Sequence, residues 1–260
     1  MKINALIAQF PISLSIQENL ATILKMLDHA EPGDWILFPE GSLSGYALDL
    51  SFLDSLDHQE LSEALNTLGV QAQERGIFLW VGACTPKGMK WRNQAFGFTP
   101  NGEIHRYQKI NLAHHERAVF IPGDQLPVFS LDTPAGLVKI GVQLCREIRY
   151  PEQWGWLARQ GAQVILHLNN AVGDDRYQSV WRSHLVSRAA ETQRFVLSVN
   201  NAAVEQICPS IALAPDGYVL AEIVSAEAEI RRVKLDLSLV SNWYIDQSRS
   251  DVVTMAPPMI

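Results

Sequence analysis

Hydrophobic and polar positions follow two different periods along this chain. Runs such as "INALIAQF" and "IFLWVGACT" are short and continuously apolar, which is typical of buried strands. In "SIQENLATILKMLDHA", by contrast, apolar residues recur on one helical face from Ile16 to Leu27, and Ser15 with Glu18 has the spacing of a capping box. The regular alternation of strand and helix patterns along the chain predicts an α/β fold.

The exchange of strand and helix patterns continues through most of the chain. Further strands are predicted in "WILFPE", "GLVKIGVQLC", "AQVILHLNN", "FVLSVNNA" and "AEIRRVKLDLS", and further helices near 59–75, 151–160 and 178–193. Two hairpins, turning at Asn101-Gly102 and Asp216-Gly217, interrupt the parallel pattern, so the sheets should be mixed. The two halves are loosely similar in element order. We expect one domain over residues 1–260, with two sheets, outer helices and an irregular tail over 237–260.

Composition and charge narrow the class of protein. An apolar share of 47% and a charged share of 19% are ordinary for a globular chain. The net charge of −7 argues against a nucleic-acid partner. The start "MKINALIAQFPISLS" lacks a cleavage site, and no run of about 18 apolar residues exists, so neither a signal peptide nor a membrane partner is expected.

Cysteine and histidine usage adds a prediction about compartment and metals. Three cysteines without a C-x-x-C pair indicate neither a disulfide framework nor a zinc knuckle, and they favour a reducing, cytoplasmic location. The seven histidines have no metal-ligand spacing. We therefore expect no metal and no cofactor.

Cys145 is the first candidate for chemistry. An apolar strand ends on this thiol, at the edge where open α/β sheets bind ligands, and charged residues follow at once. A helix beginning just after it is expected to direct its positive dipole end at the sulfur and favour a thiolate. The alternative is a buried structural cysteine, because free cysteine is among the residue types that are most often buried. Unpaired buried charge is costly, so the neighbouring charges disfavour that alternative.

Glu40 and Lys109 are two further candidates at predicted strand ends. Glu40 follows the apolar run "DWILFP", where a carboxylate can have a raised pKa and serve as a general base. Lys109 ends a hairpin arm in "HRYQKINL", where an ammonium can stabilise a developing oxyanion. The alternatives are a solvated loop glutamate and a surface lysine that buries only its aliphatic stem.

Together these motifs resemble the nitrilase superfamily of carbon–nitrogen hydrolases, in its amidase-like branch. The stretches similar to the family's glutamate, lysine and cysteine motifs are "ILFPEGSLSGY", "YQKINLAHHERAVFIPGD" and "VQLCREIRYPE". The stretch "WRSHLVSRAAETQRFVLSVN" is similar to its late helix and strand. The resemblance covers nearly the whole chain. It implies a four-layer αββα sandwich with two mixed β-sheets, which pairs as a homodimer.

The resemblance also implies roles for four residues. Cys145 is the implied nucleophile and Glu40 the implied general base. Lys109, with the backbone amide after Cys145, is implied to stabilise the tetrahedral intermediate. Glu116, in "HERAVF", matches an acidic residue that positions substrate and supports proton transfer; the alternative is a surface glutamate.

Substrate-binding residues are expected around this group. Tyr46 belongs to the glutamate motif, and Asn170 lies in the loop after "VILHLNN", at the next strand end. Arg146 and the following glutamate depart from the family pattern, which has an aromatic or small polar residue and then aspartate, and we expect them to form pocket wall. Arg149 matches an arginine that contacts a substrate carboxylate in some members. The alternative is an ion pair between Arg149 and Glu147 or Glu152, the two acidic residues nearest to it in the sequence.

Several activities fit these residues. The first is an amidase that releases ammonia from a small aliphatic or α-keto-acid amide through a cysteine thioester. An N-carbamoyl hydrolase is the nearest alternative, and nitrile hydrolysis is a minority activity in the family. A non-catalytic binding scaffold and a cysteine protease are two further alternatives. The protease requires a histidine partner, which nothing in the sequence places.

Overall fold

The computed structural model describes residues 1–249 and contains two six-stranded β-sheets. The first sheet is built from β1 (Lys2–Gln9), β2 (Trp35–Leu37), β3 (Phe78–Lys87), β4 (Lys90–Phe98), β5 (Ile104–Gln108) and β12 (Glu229–Asp236). The second is built from β6 (Val128–Thr133), β7 (Gly136–Leu144), β8 (Val164–Leu168), β9 (Phe195–Val199), β10 (Ser210–Leu213) and β11 (Val219–Ile223). The helices are α1 (Ile16–Leu27), α2 (His58–Arg75), α3 (Pro151–Arg159), α4 (Gln178–Thr192) and α5 (Trp243–Gln247).

The two sheets share one layout. Their strand orders are β12-β1-β2-β3-β4-β5 and β6-β7-β8-β9-β10-β11. In each, three central strands are parallel, β1 to β3 and β7 to β9, and the flanking strands are antiparallel. The prediction of mixed sheets and of two halves with similar element order is therefore confirmed.

Four layers result from the burial of three apolar surfaces. One core lies between the sheets and takes side chains such as Leu37 and Val142 from both. A second core packs α1 and α2 on the outer face of the first sheet. A third packs α3 and α4 on the outer face of the second. This is the αββα sandwich that the resemblance implied.

Local sequence explains where α1 begins. The Ser15 hydroxyl caps the helix by accepting a hydrogen bond from the Glu18 backbone N–H at 3.3 Å. The Glu18 carboxylate, however, binds the Ser13 hydroxyl, which itself accepts from the Ser15 N–H. The capping box is thus closed through Ser13 rather than directly.

The structure differs from the sequence predictions at a few ends. The β6 edge strand was not predicted, because it buries only Leu131 fully and so has a weak apolar signal. The β2 strand ends before Pro39, which has no N–H to offer a sheet. In the predicted tail, Trp243–Gln247 is helical, and residues 250–260 lie outside the described residues. No helix within residues 1–249 is long and apolar enough to cross a lipid bilayer.

Candidate active site

The carboxyl ends of strands from both sheets meet at one place. Glu40 follows β2, Lys109 follows β5, Cys145 follows β7 and Asn170 follows β8. Glu116 joins them from a short 3-10 turn, His114–Glu116. Open α/β sheets bind ligands at these ends, so the topology alone gathers side chains that are distant in sequence.

The loop that carries Glu40 joins the two sheets. The Glu40 backbone N–H donates to the Asn169 carbonyl at 3.1 Å, and the Asn170 N–H donates to Glu40 Oε2 at 3.1 Å. A Cβ on Gly82 of β3 would lie 2.4 Å from the backbone nitrogen of Gly41. Glycine at position 82 therefore lets the Glu40 loop pack directly against the sheet.

A buried charge cluster surrounds the Lys109 ammonium. Nζ donates to Glu40 Oε1 at 2.7 Å and to Glu116 Oε1 at 2.9 Å. The Asn93 side-chain amide donates to the same two oxygens, at 2.7 and 3.1 Å. All four side chains are almost completely buried. Glu116 is therefore part of the cluster and not a surface glutamate, and Lys109 is not a surface lysine.

Two opposing effects set the charge of this cluster. Burial by itself lowers the pKa of Lys109, but the negative charges of Glu40 and Glu116 outweigh it and raise the pKa above its usual value. Burial raises the pKa of Glu116, yet Lys109 and the hydrogen bonds from Tyr46 and Ala113 bring it below its usual value. At neutral pH, Lys109 is therefore a cation and Glu116 an anion.

Cys145 lies beside this cluster on an unusual backbone. Its φ is +45°, in the left-handed region that residues other than glycine rarely adopt, and the residue as a whole is partly exposed. Such strain persists only where surrounding contacts hold it, and it is concentrated at functional sites.

The thiol is protonated at rest, which corrects the expectation of a thiolate. Burial and the charge of Glu40 raise the pKa of Cys145, against smaller lowering effects of Lys109 and the Asn170 N–H. The segment after the thiol is a five-residue 3-10 turn, and α3 starts only at Pro151. The expected helix dipole is thus too distant to offset burial.

Glu147 is buried, and its carboxylate links two segments of the chain by hydrogen bonds. The expectation that it forms pocket wall is therefore wrong. Its Oε2 accepts hydrogen bonds from the Leu144 N–H and the Tyr107 hydroxyl, both at 2.8 Å. Its Oε1 accepts from the N–H groups of Ile110 at 2.8 Å and Asn111 at 3.0 Å. The carboxylate therefore ties the residue before Cys145 to the two residues after Lys109. Burial raises the pKa of Glu147 to about 7, although these hydrogen bonds lower it.

Replacing Glu147 by glutamine should destabilise the fold. A glutamine side chain has one oxygen and one NH₂ group in place of the two carboxylate oxygens. Two of the four groups that donate to Glu147 would therefore face the NH₂ group, which is itself a donor. We expect a loss of about 2–4 kcal/mol in the free energy of unfolding at pH 8. Urea denaturation measures it. Tyr107→Phe is the matched control, because it removes a single donor and should cost about 1 kcal/mol. Equal stability of the glutamine variant and the wild type would contradict this account.

The predicted substrate-binding residues divide into two groups. The Tyr46 hydroxyl donates to Glu116 Oε1 at 2.6 Å, and its ring centroid lies 5.9 Å from Lys109 Nζ. With Asn170, it is part of the site. Arg146 and Arg149 are exposed and lie outside the buried cluster.

Arg149 does not form the ion pair considered from sequence. Its guanidinium lies 5.5 Å from the ring centroid of Trp181 in α4, a cation–π distance. The Glu147 oxygens are occupied by four other donors, and in the part of the chain that the structure describes, Glu152 forms no ion pair with Arg149.

Sequence reasoning missed two polar residues behind the site. His167 stands among the apolar residues of β8, and a polar side chain inside such a strand is the signal that could have identified it. Asn93 lies in β4 between Arg92 and Gln94, so its local sequence gives no such signal.

The environment of His167 bears on the protease alternative. The His167 Nε2 lies 2.9 Å from the carbonyl oxygen of Cys145, so this imidazole contacts the backbone and not the sulfur. Among residues 1–249, no histidine forms a hydrogen bond with the Cys145 thiol. The same residues contain no group of three or more histidine, cysteine or acidic side chains able to hold a metal ion.

Several known proteins are similar to this chain in sequence and in fold. Residues 5–245 match the carbon-nitrogen hydrolase family. An (R)-stereoselective amidase of Pseudomonas sp is 30% identical over 210 residues, which are 78% of this chain and 73% of that protein. A nitrilase of Pyrococcus abyssi (strain GE5 / Orsay) is 30% identical over 180 residues, 67% of this chain and 65% of the nitrilase. A mutant amidase from Nesterenkonia sp. AN1, solved with butyramide, superposes with a TM-score of 0.80 at 25% identity, covering 96% of this chain and 95% of that one.

Proposed function

Since the chain belongs to the carbon-nitrogen hydrolase family, we propose that it hydrolyses a small amide to the acid and ammonia through a thioester on Cys145. One observation carries this proposal: the Lys109 ammonium is held between the carboxylates of Glu40 and Glu116, beside the partly exposed residue Cys145. The group supplies a nucleophile, a base and a cation without a metal ion.

In the first half of the reaction, Glu40 accepts the thiol proton as Sγ attacks the amide carbon. Because the resting thiol is protonated, the base has to act at the moment of attack. An S–C bond forms, and the carbonyl oxygen becomes an oxyanion. Lys109 and the backbone N–H of Arg146 stabilise that charge. The protonated Glu40 then gives its proton to the amide nitrogen, the C–N bond breaks, and ammonia leaves.

In the second half, water replaces ammonia. Glu40 takes one proton from the water molecule as its oxygen attacks the thioester carbon. The second tetrahedral intermediate collapses by breaking the S–C bond, and the thiolate recovers the proton from Glu40. The products are one carboxylic acid and one ammonia per amide and water consumed. Glu116 and Asn93 hold the Glu40–Lys109 pair throughout by their hydrogen bonds.

The proposed substrate is a small, linear primary amide. The amidase names of the relatives from Pseudomonas and Nesterenkonia support this choice, and the butyramide in the latter structure indicates the size. Tyr46 and Asn170 are proposed to contact the substrate from within the site, with Arg146 and Arg149 at its outer side. An N-carbamoyl compound is the alternative substrate, since it presents the same carbonyl and nitrogen.

A substrate panel tests the proposal. Primary amides, N-carbamoyl amino acids and nitriles are incubated with the wild type and with Cys145→Ala, and ammonia and carbon dioxide are measured. Ammonia alone from the amides supports the proposal, whereas ammonia together with carbon dioxide supports the carbamoyl alternative. A folded protein that is inactive on all three classes would contradict the proposal and favour the binding scaffold.

We further propose that this single domain pairs as a homodimer through its outer helices. Exposed aromatic side chains support it: Trp156 of α3 and Tyr244 of α5 are each about half exposed, at 50% and 54%. Sedimentation equilibrium at micromolar concentration should give twice the mass of the chain. A strict monomer would contradict the homodimer and leave the chemistry untouched.

A reducing, cytoplasmic location is part of the same proposal. Cys84, Cys145 and Cys208 are all free thiols, and the mechanism requires a reduced Cys145. Fractionation of cells that express the protein, with antibody detection, tests the location directly.

A further inference from the structure

His167 is a buried polar residue that the proposed mechanism does not use. It is the fourth of the five residues of β8 and is fully buried, and the other four residues of that strand are valine, isoleucine and two leucines. Its ring packs edge-on against Trp154, with centroids 5.4 Å apart. An imidazole buried among aliphatic side chains loses its hydrogen bonds to water, which costs free energy. Hydrogen bonds to other groups of the protein have to offset that cost.

The hydrogen bonds of His167 fix which ring nitrogen carries the proton. Nε2 lies 2.9 Å from the Cys145 carbonyl oxygen, which can only accept, so Nε2 is the donor. Nδ1 is then the acceptor, with the Ser198 hydroxyl at 3.1 Å and the Asn169 side-chain amide at 2.9 Å. Burial lowers the pKa of His167 to about 4, so the ring is neutral at pH 7.

The bond to the Cys145 carbonyl has a geometric consequence across the peptide bond. A trans peptide is planar, and its C=O and N–H point in opposite directions. Holding the Cys145 carbonyl toward β8 therefore turns the N–H of Arg146 away from β8. That N–H is the second oxyanion donor of the proposed mechanism. A hydrogen bond to the carbonyl also polarises the peptide and strengthens its N–H as a donor.

The left-handed backbone of Cys145 makes such an anchor necessary. A φ of +45° is disfavoured for cysteine, by about 1–3 kcal/mol for a strained residue of this kind. Without a donor to the carbonyl oxygen, the peptide after Cys145 is free to relax and to rotate its N–H out of alignment.

We propose that His167 is a positioning residue for the oxyanion site, which orients the Arg146 N–H by anchoring the carbonyl of the Cys145–Arg146 peptide. The inference rests on the proposed function, because an oxyanion forms only if Cys145 attacks a carbonyl group. Asn169 supports His167 by keeping its proton on Nε2, because its side-chain NH₂ group can only donate to Nδ1.

Three variants separate this role from a structural one. His167→Leu fills the space without a donor. His167→Gln can present its amide NH₂ near the position of Nε2 and is the conservative rescue. Ser198→Ala alters the same cluster and leaves the His167–Cys145 bond intact, so it is the matched control. Two rates are measured for each: kcat for a primary amide, and alkylation of Cys145 by iodoacetamide, a displacement that forms no oxyanion.

We expect His167→Leu to lower kcat about 10²-fold, the typical cost of a misplaced catalytic group, with KM nearly unchanged. Alkylation should stay within about threefold of the wild type, because the thiol and Glu40 keep their places. His167→Gln should recover about tenfold or more of the lost kcat, and Ser198→Ala should lose less than about tenfold. Thermal unfolding checks that each variant is folded.

Two results would overturn the proposal. One is an unchanged kcat in folded His167→Leu. The other is an equal loss of kcat and of alkylation in that variant, which indicates a displaced thiol and not a misaligned donor. Failure of the proposed function itself looks different, because the wild type then releases no ammonia from any amide while its thiol still alkylates.

Discussion

We expect alanine at position 145 to lower kcat for ammonia release by about 10⁴-fold or more, because it removes the covalent nucleophile. No other thiol can take its place. Cys84 and Cys208 are fully buried, and burial raises the pKa of Cys84 to about 12. The remaining cluster, with Lys109 and Glu40, can still bind and polarise a carbonyl group, so KM should change less than kcat.

Cys84→Ala is the matched control for this experiment. It removes a buried thiol of β3, close to the charge cluster, without removing a hydrogen bond of that cluster, and we expect its kcat to stay within about threefold of the wild type. Cys145→Ala retaining a tenth or more of the wild-type kcat would contradict the assignment of Cys145 as nucleophile.

Glutamine at position 40 is the second change with a very large expected effect. The side chain keeps its size and can still accept from Lys109 and Asn93 with its oxygen, but it cannot take a proton. General acid–base catalysis contributes about 10²–10⁴-fold, and Glu40 is used in both halves of the reaction. We therefore expect kcat to fall by about 10³-fold or more with the fold intact.

The same variant has a second, opposite effect on the thiol. Burial is the main cause of the raised pKa of Cys145, and the negative charge of Glu40 is the next. Removing that charge should lower the pKa of the thiol, since it no longer opposes a thiolate. The pH profile of alkylation by iodoacetamide should shift to lower pH in Glu40→Gln. A shift to higher pH, or turnover close to that of the wild type, would contradict the role of Glu40.

The fold was largely predictable because its main signals are local. Continuous apolar runs identified the central strands, and Asn101-Gly102 and Asp216-Gly217 identified two hairpins. The strand ends then indicated where Glu40, Lys109 and Cys145 meet. The β6 strand was not predicted, because an edge strand with one fully buried residue has nearly the same pattern of apolar and polar positions as a loop.

The inner contacts of the site were not predictable from local pattern. Glu147 looked like part of a charged surface segment, and only the fold shows that Leu144, Tyr107 and the residues after Lys109 direct four donors at it. His167 and Asn93 form hydrogen bonds with partners that are mostly distant in sequence, such as Cys145 for His167 and Glu40 for Asn93. The protonation of the thiol depends on burial and on the distance to α3, which sequence spacing does not determine.

The central claim is that an acyl group is transferred to Cys145 before water attacks. Partitioning with hydroxylamine tests it most directly, because this nucleophile is small enough to reach a thioester where water does. In the presence of a primary amide and hydroxylamine, the account predicts that the wild type forms hydroxamate at the expense of the acid. Cys145→Ala should form neither. Acid as the sole product at every hydroxylamine concentration, with ammonia still released, would contradict a thioester intermediate.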